Sequence, residues 1–199
     1  MKFDENKIEI AKKIYGMLPR WKLVNEILTD FFNTNRSNSS KEIILMKIAL
    51  VDSFYKTNLK DQISIAEHIS GLHSLDESLN RGDIEIVEKI AKCNNKYFVS
   101  FASKFCHFHN KKSFPIYDQY VCLSLKRIMG WKGREYHDFF EAIAKFKIEN
   151  NLTNVSFDDI DKFLWLYGMM DKLKNNRMDL NREILHVYSQ NKELFQMIH

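Results

Sequence analysis

The sequence predicts an all-α protein of about ten helices, and three observations lead there. Apolar residues recur at three- and four-residue spacings through most of the chain, which is the period of one helix face. No stretch of useful length alternates apolar and polar residues as a half-buried strand would. Only 6 glycines and 2 prolines occur in 199 residues, too few for a turn-rich β-sandwich or a low-complexity chain.

The elements follow in order. Ile8, Ala11, Ile14 and Tyr15 make a first helix face, ended at Leu18-Pro19 because the residue before a proline is pushed out of the helical region. Trp21, Val24, Ile27, Leu28 and Phe31 make a second. Residues 33–40, almost all Asn, Ser and Thr, read as the clearest loop in the chain. Lys41 to about Lys56 reads as a largely buried helix with Glu42 in its first turn. Leu59 to Leu72 is another, ended near Gly71, and a short helix starts after Asp83 as its cap. Phe98–His109, Asp118–Met129 and Glu135–Asn150 follow. Ser156 with Asp159 nearly completes a capping box for a helix that runs to Tyr167 or beyond. A last helix spans roughly Leu180 to Met197.

Composition sets bounds on function. A chain that is 45% hydrophobic and 28% charged can bury a core without staples, as a single compact unit over residues 1–199 or as two lobes packed together. No apolar run approaches the ~18 residues of a membrane span. The charged start, Met1-Lys2-Phe3-Asp4-Glu5, lacks a signal-peptide core. Cys93, Cys106 and Cys122 are too few and too scattered for a disulfide framework or a metal knot, so a reducing, cytoplasmic compartment is expected.

The charge distribution says more than the net of +4. From Lys92 to Arg134 there are nine basic residues and one acid, Asp118. That stretch carries +8 and leaves −4 for the rest. A cationic middle in a mildly acidic chain suggests a polyanion-binding face.

The most informative residues lie inside that stretch. Ser100-Phe-Ala-Ser-Lys104 opens one helix, and Pro115-Ile-Tyr-Asp118 opens the next. The pattern resembles the helix-hairpin-helix DNA glycosylase superfamily, in which a Gly-x-Gly-x-Lys hairpin runs into a helix and a Pro-x-Asp segment starts the following one. Ser100 and Ala102 stand where that hairpin has its glycines. Lys104 and Asp118 are 14 apart, about four residues closer than usual, or roughly one helical turn. Further on, Asp161 and Trp165 share a helix face at i and i+4. They resemble the base-pocket pair of the archaeal 8-oxoguanine glycosylase branch. The resemblance covers roughly residues 40–170, a glycosylase-like core.

The resemblance implies a two-lobed helical fold with a central cleft and an enzyme that, as a monomer and with no metal or organic cofactor, flips a damaged or modified base out of double-stranded DNA and excises it. Asp118 would support the cationic sugar as the base leaves. Lys104 would either attack C1′, adding a strand-cleaving lyase step, or only contact DNA. Asp161 and Trp165 would line the base pocket. Ser100, Ala102, Ser103, Lys111 and Lys112 would meet phosphates. The substrate is an oxidised purine in repair or a hypermodified base of foreign DNA in defence. Two readings from other classes stay open beside it: a non-catalytic DNA-binding module, and an all-α regulatory protein that binds nucleic acid or a partner.

Overall fold

Six of the described helices begin where a side-chain oxygen takes a first-turn N–H. Asp4 accepts from the Lys7 N–H and opens α1 (Glu5–Gly16). Pro19 occupies the first position of α2 (Pro19–Thr34), where its missing N–H costs nothing, so Leu18-Pro19 both ends one helix and starts the next. Ser40 caps α3 (Lys41–Tyr55) and Asp61 caps α4 (Gln62–Ser70). The chain continues through α5 (Leu75–Arg81), α6 (Glu85–Ala91), the strands β1 (Lys92–Cys93) and β2 (Lys96–Tyr97), and α7 (Val99–His109). Asp118 caps α8 (Gln119–Met129), which Gly130 ends in the left-handed region at φ 68°. Then come α9 (Tyr136–Glu149), α10 (Phe157–Lys174) capped by Ser156, α11 (Arg182–Gln190) capped by Asn181, and α12 (Lys192–Ile198). This computed structural model describes residues 3–175 and 180–198, and among them the protein is all-α apart from one small hairpin.

Three features differ from the sequence-based expectation. The hairpin itself is one: β1 and β2 pair antiparallel, Cys93 opposite Lys96, around Asn94 and Asn95 at φ 51° and 57°. Two-residue strands are too short to show alternation, and asparagine tolerates the left-handed region that such a turn demands. The seven-residue α5 is the second; it ends at Gly82, φ 75°, where an added Cβ would stand 2.3 Å from Ser113 Oγ. The third is a break at Asn191 that divides the last helical stretch into α11 and α12.

The chain divides into two compact units, neither of which coincides with residues 40–170. One comprises Met1–Leu23, Asp118–Gly133 and Phe139–His199. Here α10 packs against α1, α8 and α12. The Phe3 ring lies 5.4–5.6 Å from those of Phe146, Phe163 and Tyr167. Gly168 lets α10 approach the backbone of α8 at Tyr120, and Ser124 Oγ donates to the Leu164 carbonyl across the same contact.

The other unit comprises Val24–Tyr117 and Arg134–Asp138. In it α7 packs against α3, α5 and α6, and α3 also packs against α4. Phe32 meets Phe105, Phe108 and His109 at ring distances of 5.7, 5.6 and 5.0 Å. The polar loop 33–40 is tied down by the fully buried Lys47, whose Nζ donates to Asn38 Oδ1 at 2.9 Å. Burial brings the Lys47 ammonium down to about 8. Burial, with Lys47 beside it, holds His109 well below the usual imidazole range, so that ring is neutral. Among the described residues no helix is long and apolar enough to cross a membrane.

Candidate functional site

Lys104 sits in the second turn of α7 and is 2% exposed. Its Nζ donates to Ser100 Oγ at 2.8 Å, to the Ser100 carbonyl at 3.0 Å and to the Tyr117 carbonyl at 3.2 Å. The Tyr55 ring lies 5.4 Å away. A buried cation needs such partners, because desolvation without them costs several kcal/mol.

The Tyr117 contact belongs to a larger clamp on residues 114–117, the Phe-Pro-Ile-Tyr segment that leads directly into Asp118. His107 Nδ1–H donates to the Phe114 carbonyl at 2.8 Å, and the Tyr136 hydroxyl donates to the Pro115 carbonyl at 2.8 Å. Ser103 Oγ accepts from the Tyr117 N–H at 3.0 Å. Helix α7 thus fixes the backbone of the segment from one side, at Ser103, Lys104 and His107. Tyr136 is held in turn by Glu88, whose Oε1 accepts from the Tyr136 N–H and the Tyr97 hydroxyl, both at 2.7 Å. Ser103, His107, Tyr136 and Glu88 were not legible as site-builders. Their partners lie 7 to 48 positions along the chain, and the i, i+4 placement of Ser103 and His107 on one face is the sequence signal that points to a shared target.

The expected phosphate contacts need correction. Ala102 and Ser103 are fully buried inside α7. The Ala102 N–H donates to the Phe98 carbonyl at 2.9 Å, and the Ser103 hydroxyl donates to the Ser100 carbonyl while accepting from Tyr117. Neither has a group left for a phosphate. The turn that precedes α7 lies earlier, at β1–β2 between α6 and α7, with Lys92, Asn94, Asn95 and Lys96 exposed. Ser100 is half-buried and holds Lys104. Lys111 also has another role: its Nζ donates to Asn25 Oδ1 at 2.9 Å and Thr29 Oγ1 at 2.7 Å, over the Phe108 ring. Lys112 is exposed.

Asp118, in the other unit, is half-buried. Its Oδ1 accepts from the Tyr120 N–H at 2.8 Å, which fixes the carboxylate at the N-terminus of α8, where the helix dipole favours a negative charge. Asp161 and Trp165 lie on α10 in that same unit. Trp165 is half-buried against Trp21 at 5.1 Å and Tyr15 at 6.3 Å between ring centres, both edge to face. Burial, with the charges of Asp158 and Asp161, pushes the Tyr15 phenol well up. Trp21 Nε1 is buried without a hydrogen-bond partner. These aromatic neighbours come from the first 40 residues, which the motif resemblance left unassigned. Among the described residues no group of three or more His, Cys, Asp or Glu side chains is placed to hold a metal ion.

Fold and site together define an all-α protein with a buried lysine clamped on the segment that precedes α8. The chain belongs to the family whose N-terminal domain is described as HI_0787_N, which matches residues 4–113 and so includes every element from α1 to α7. An uncharacterized protein of Haemophilus influenzae is 31% identical over 188 residues, covering 87% of this chain and 90% of that protein. No solved structure matches.

Proposed function

We propose that this protein is a DNA glycosylase that excises a damaged or modified base from double-stranded DNA. The observation that carries the reading is the clamp: Lys104 is anchored on the carbonyl of Tyr117, the residue bonded directly to Asp118. A lysine and a carboxylate tied to adjacent residues suit the two charge demands of C1′–N cleavage. Asp118 opposes the positive charge that develops on the sugar as the base departs. Lys104 either adds to C1′, giving an imine and then strand cleavage, or acts as a fixed cation beside the phosphates. The α6–hairpin–α7 order and the exposed lysines of the hairpin fit phosphate binding without sequence reading. The partly exposed Trp165 offers a stacking surface for an everted base. The base itself is an oxidised purine or a hypermodified base of foreign DNA.

The test is to incubate the protein with duplexes carrying a panel of oxidised and hypermodified bases, then treat with mild alkali. Alkali-labile breaks at one class of base support the reading and name the substrate. Binding without breaks makes the protein a DNA-binding module instead, and no binding removes DNA from the account.

A further inference from the structure

In the first turn of α7 the Ser100 hydroxyl touches the Lys104 amine. We infer that Ser100 is a positioning residue for Lys104, holding the amine in its charged form and setting the pH at which it becomes a nucleophile. The inference rests on the glycosylase reading only for the word nucleophile.

A lysine ammonium has three N–H donors and no lone pair. Lys104 Nζ has three acceptors in reach: Ser100 Oγ at 2.8 Å, the Ser100 carbonyl at 3.0 Å and the Tyr117 carbonyl at 3.2 Å. The face of the Tyr55 ring, 5.4 Å from Nζ, also favours a cation. A neutral amine has two donors and a lone pair, so in the same cage its lone pair points at an oxygen. Two of the three oxygens are main-chain carbonyls that can only accept. Ser100 Oγ makes the shortest of these contacts, and Ser100→Ala removes it while leaving both main-chain carbonyls in place.

The experiment uses the full chain with 13C-labelled lysine, the Lys104 resonance being assigned by its absence in Lys104→Gln. Wild type, Ser100→Ala and Ser100→Thr are titrated by NMR. Loss of one hydrogen bond to a charged group is expected to lower the Lys104 midpoint by about one pH unit in Ser100→Ala, while Ser100→Thr, which keeps the hydroxyl, stays near wild type. An unmoved midpoint in Ser100→Ala, or an equal shift in Ser100→Thr, overturns the inference. A second arm traps each protein with borohydride on a duplex containing an abasic site, across the same pH range. The trapping profile is expected to move with the NMR midpoint, whereas a merely structural Ser100 lowers trapping at every pH without moving the profile. A wild type that traps at no pH overturns the nucleophile reading of Lys104, and the NMR arm still decides the role of Ser100.

Discussion

Gly168→Ala is the sharpest test of how α10 holds α8. A Cβ at position 168 would stand 2.1 Å from the Tyr120 carbonyl oxygen, 2.7 Å from its carbon and 2.9 Å from Ser124 Oγ. The first two are main-chain atoms, so no rotamer change relieves the clash. The helices must separate by about 1 Å, the shortfall from ordinary van der Waals contact. That movement also disturbs the Ser124 Oγ bond to the Leu164 carbonyl and the Arg127 contact with the Gly168 carbonyl. Overpacking of this kind costs about 3 kcal/mol. Replacing glycine by alanine inside a helix returns about 1 kcal/mol. The net is a loss of about 2 kcal/mol, or a fall in Tm of about 4–8 °C for a chain of this size. Thermal and urea unfolding followed by far-UV circular dichroism reads it directly. A Gly168→Ala protein as stable as wild type would refute the close approach of α10 to Tyr120.

Three further expectations concern single residues. Lys111→Glu removes two hydrogen bonds to α2 and should cost about 2 kcal/mol of stability by urea unfolding, whereas the exposed Lys112→Glu should leave stability unchanged and flatten the salt dependence of DNA binding by about one phosphate contact; equal effects on stability would remove the Lys111 contacts from the account. Burial alone would raise the Glu88 carboxyl, but its bonds from Tyr97, Tyr136 and Lys92 outweigh that and hold it below its ordinary 4.5. Its folded value therefore lies under the unfolded one, so its contribution is present above pH 4.5 and is lost as pH falls below it; wild type should lose stability more steeply than Glu88→Gln through that acid range, and parallel acid titrations would contradict the assignment. Asp118→Asn keeps a good N-cap on α8, so its Tm should match that of wild type within a degree or two; a large fall would mean that the carboxylate is chiefly structural.

Helix ends were the most readable part of this fold. Asp118 and Ser156 cap helices because a short side-chain oxygen after extended backbone reaches the N–H two or three residues on, a rule confined to a few neighbouring residues, whereas α4 starts after Asp61 rather than at Leu59 and the cap position of α6 is Ile84 rather than Asp83. The β1–β2 hairpin was hidden because its signal is two asparagines in a left-handed turn rather than an apolar pattern. Placing the phosphate-binding turn at Ser100–Ser103 followed from aligning a glycine motif; the chain instead turns at Asn94-Asn95 and spends Ser103 on the backbone of Tyr117. Lys104 and Asp118 could be singled out from their helix starts. The clamp from His107, Tyr136 and Glu88, and the contact of Trp21 with Trp165, depend on groups up to 144 positions apart, which no local pattern encodes.

The measurement that bears most directly on the proposed function is single-turnover base excision by wild type and Asp118→Asn on a modified duplex, with DNA binding measured in parallel. The account predicts base release by wild type, a drop of several orders of magnitude in Asp118→Asn, and binding that is retained or tightened once a negative charge is lost. Excision by Asp118→Asn at the wild-type rate, or a wild type that binds every duplex of the panel and releases no base, would contradict it.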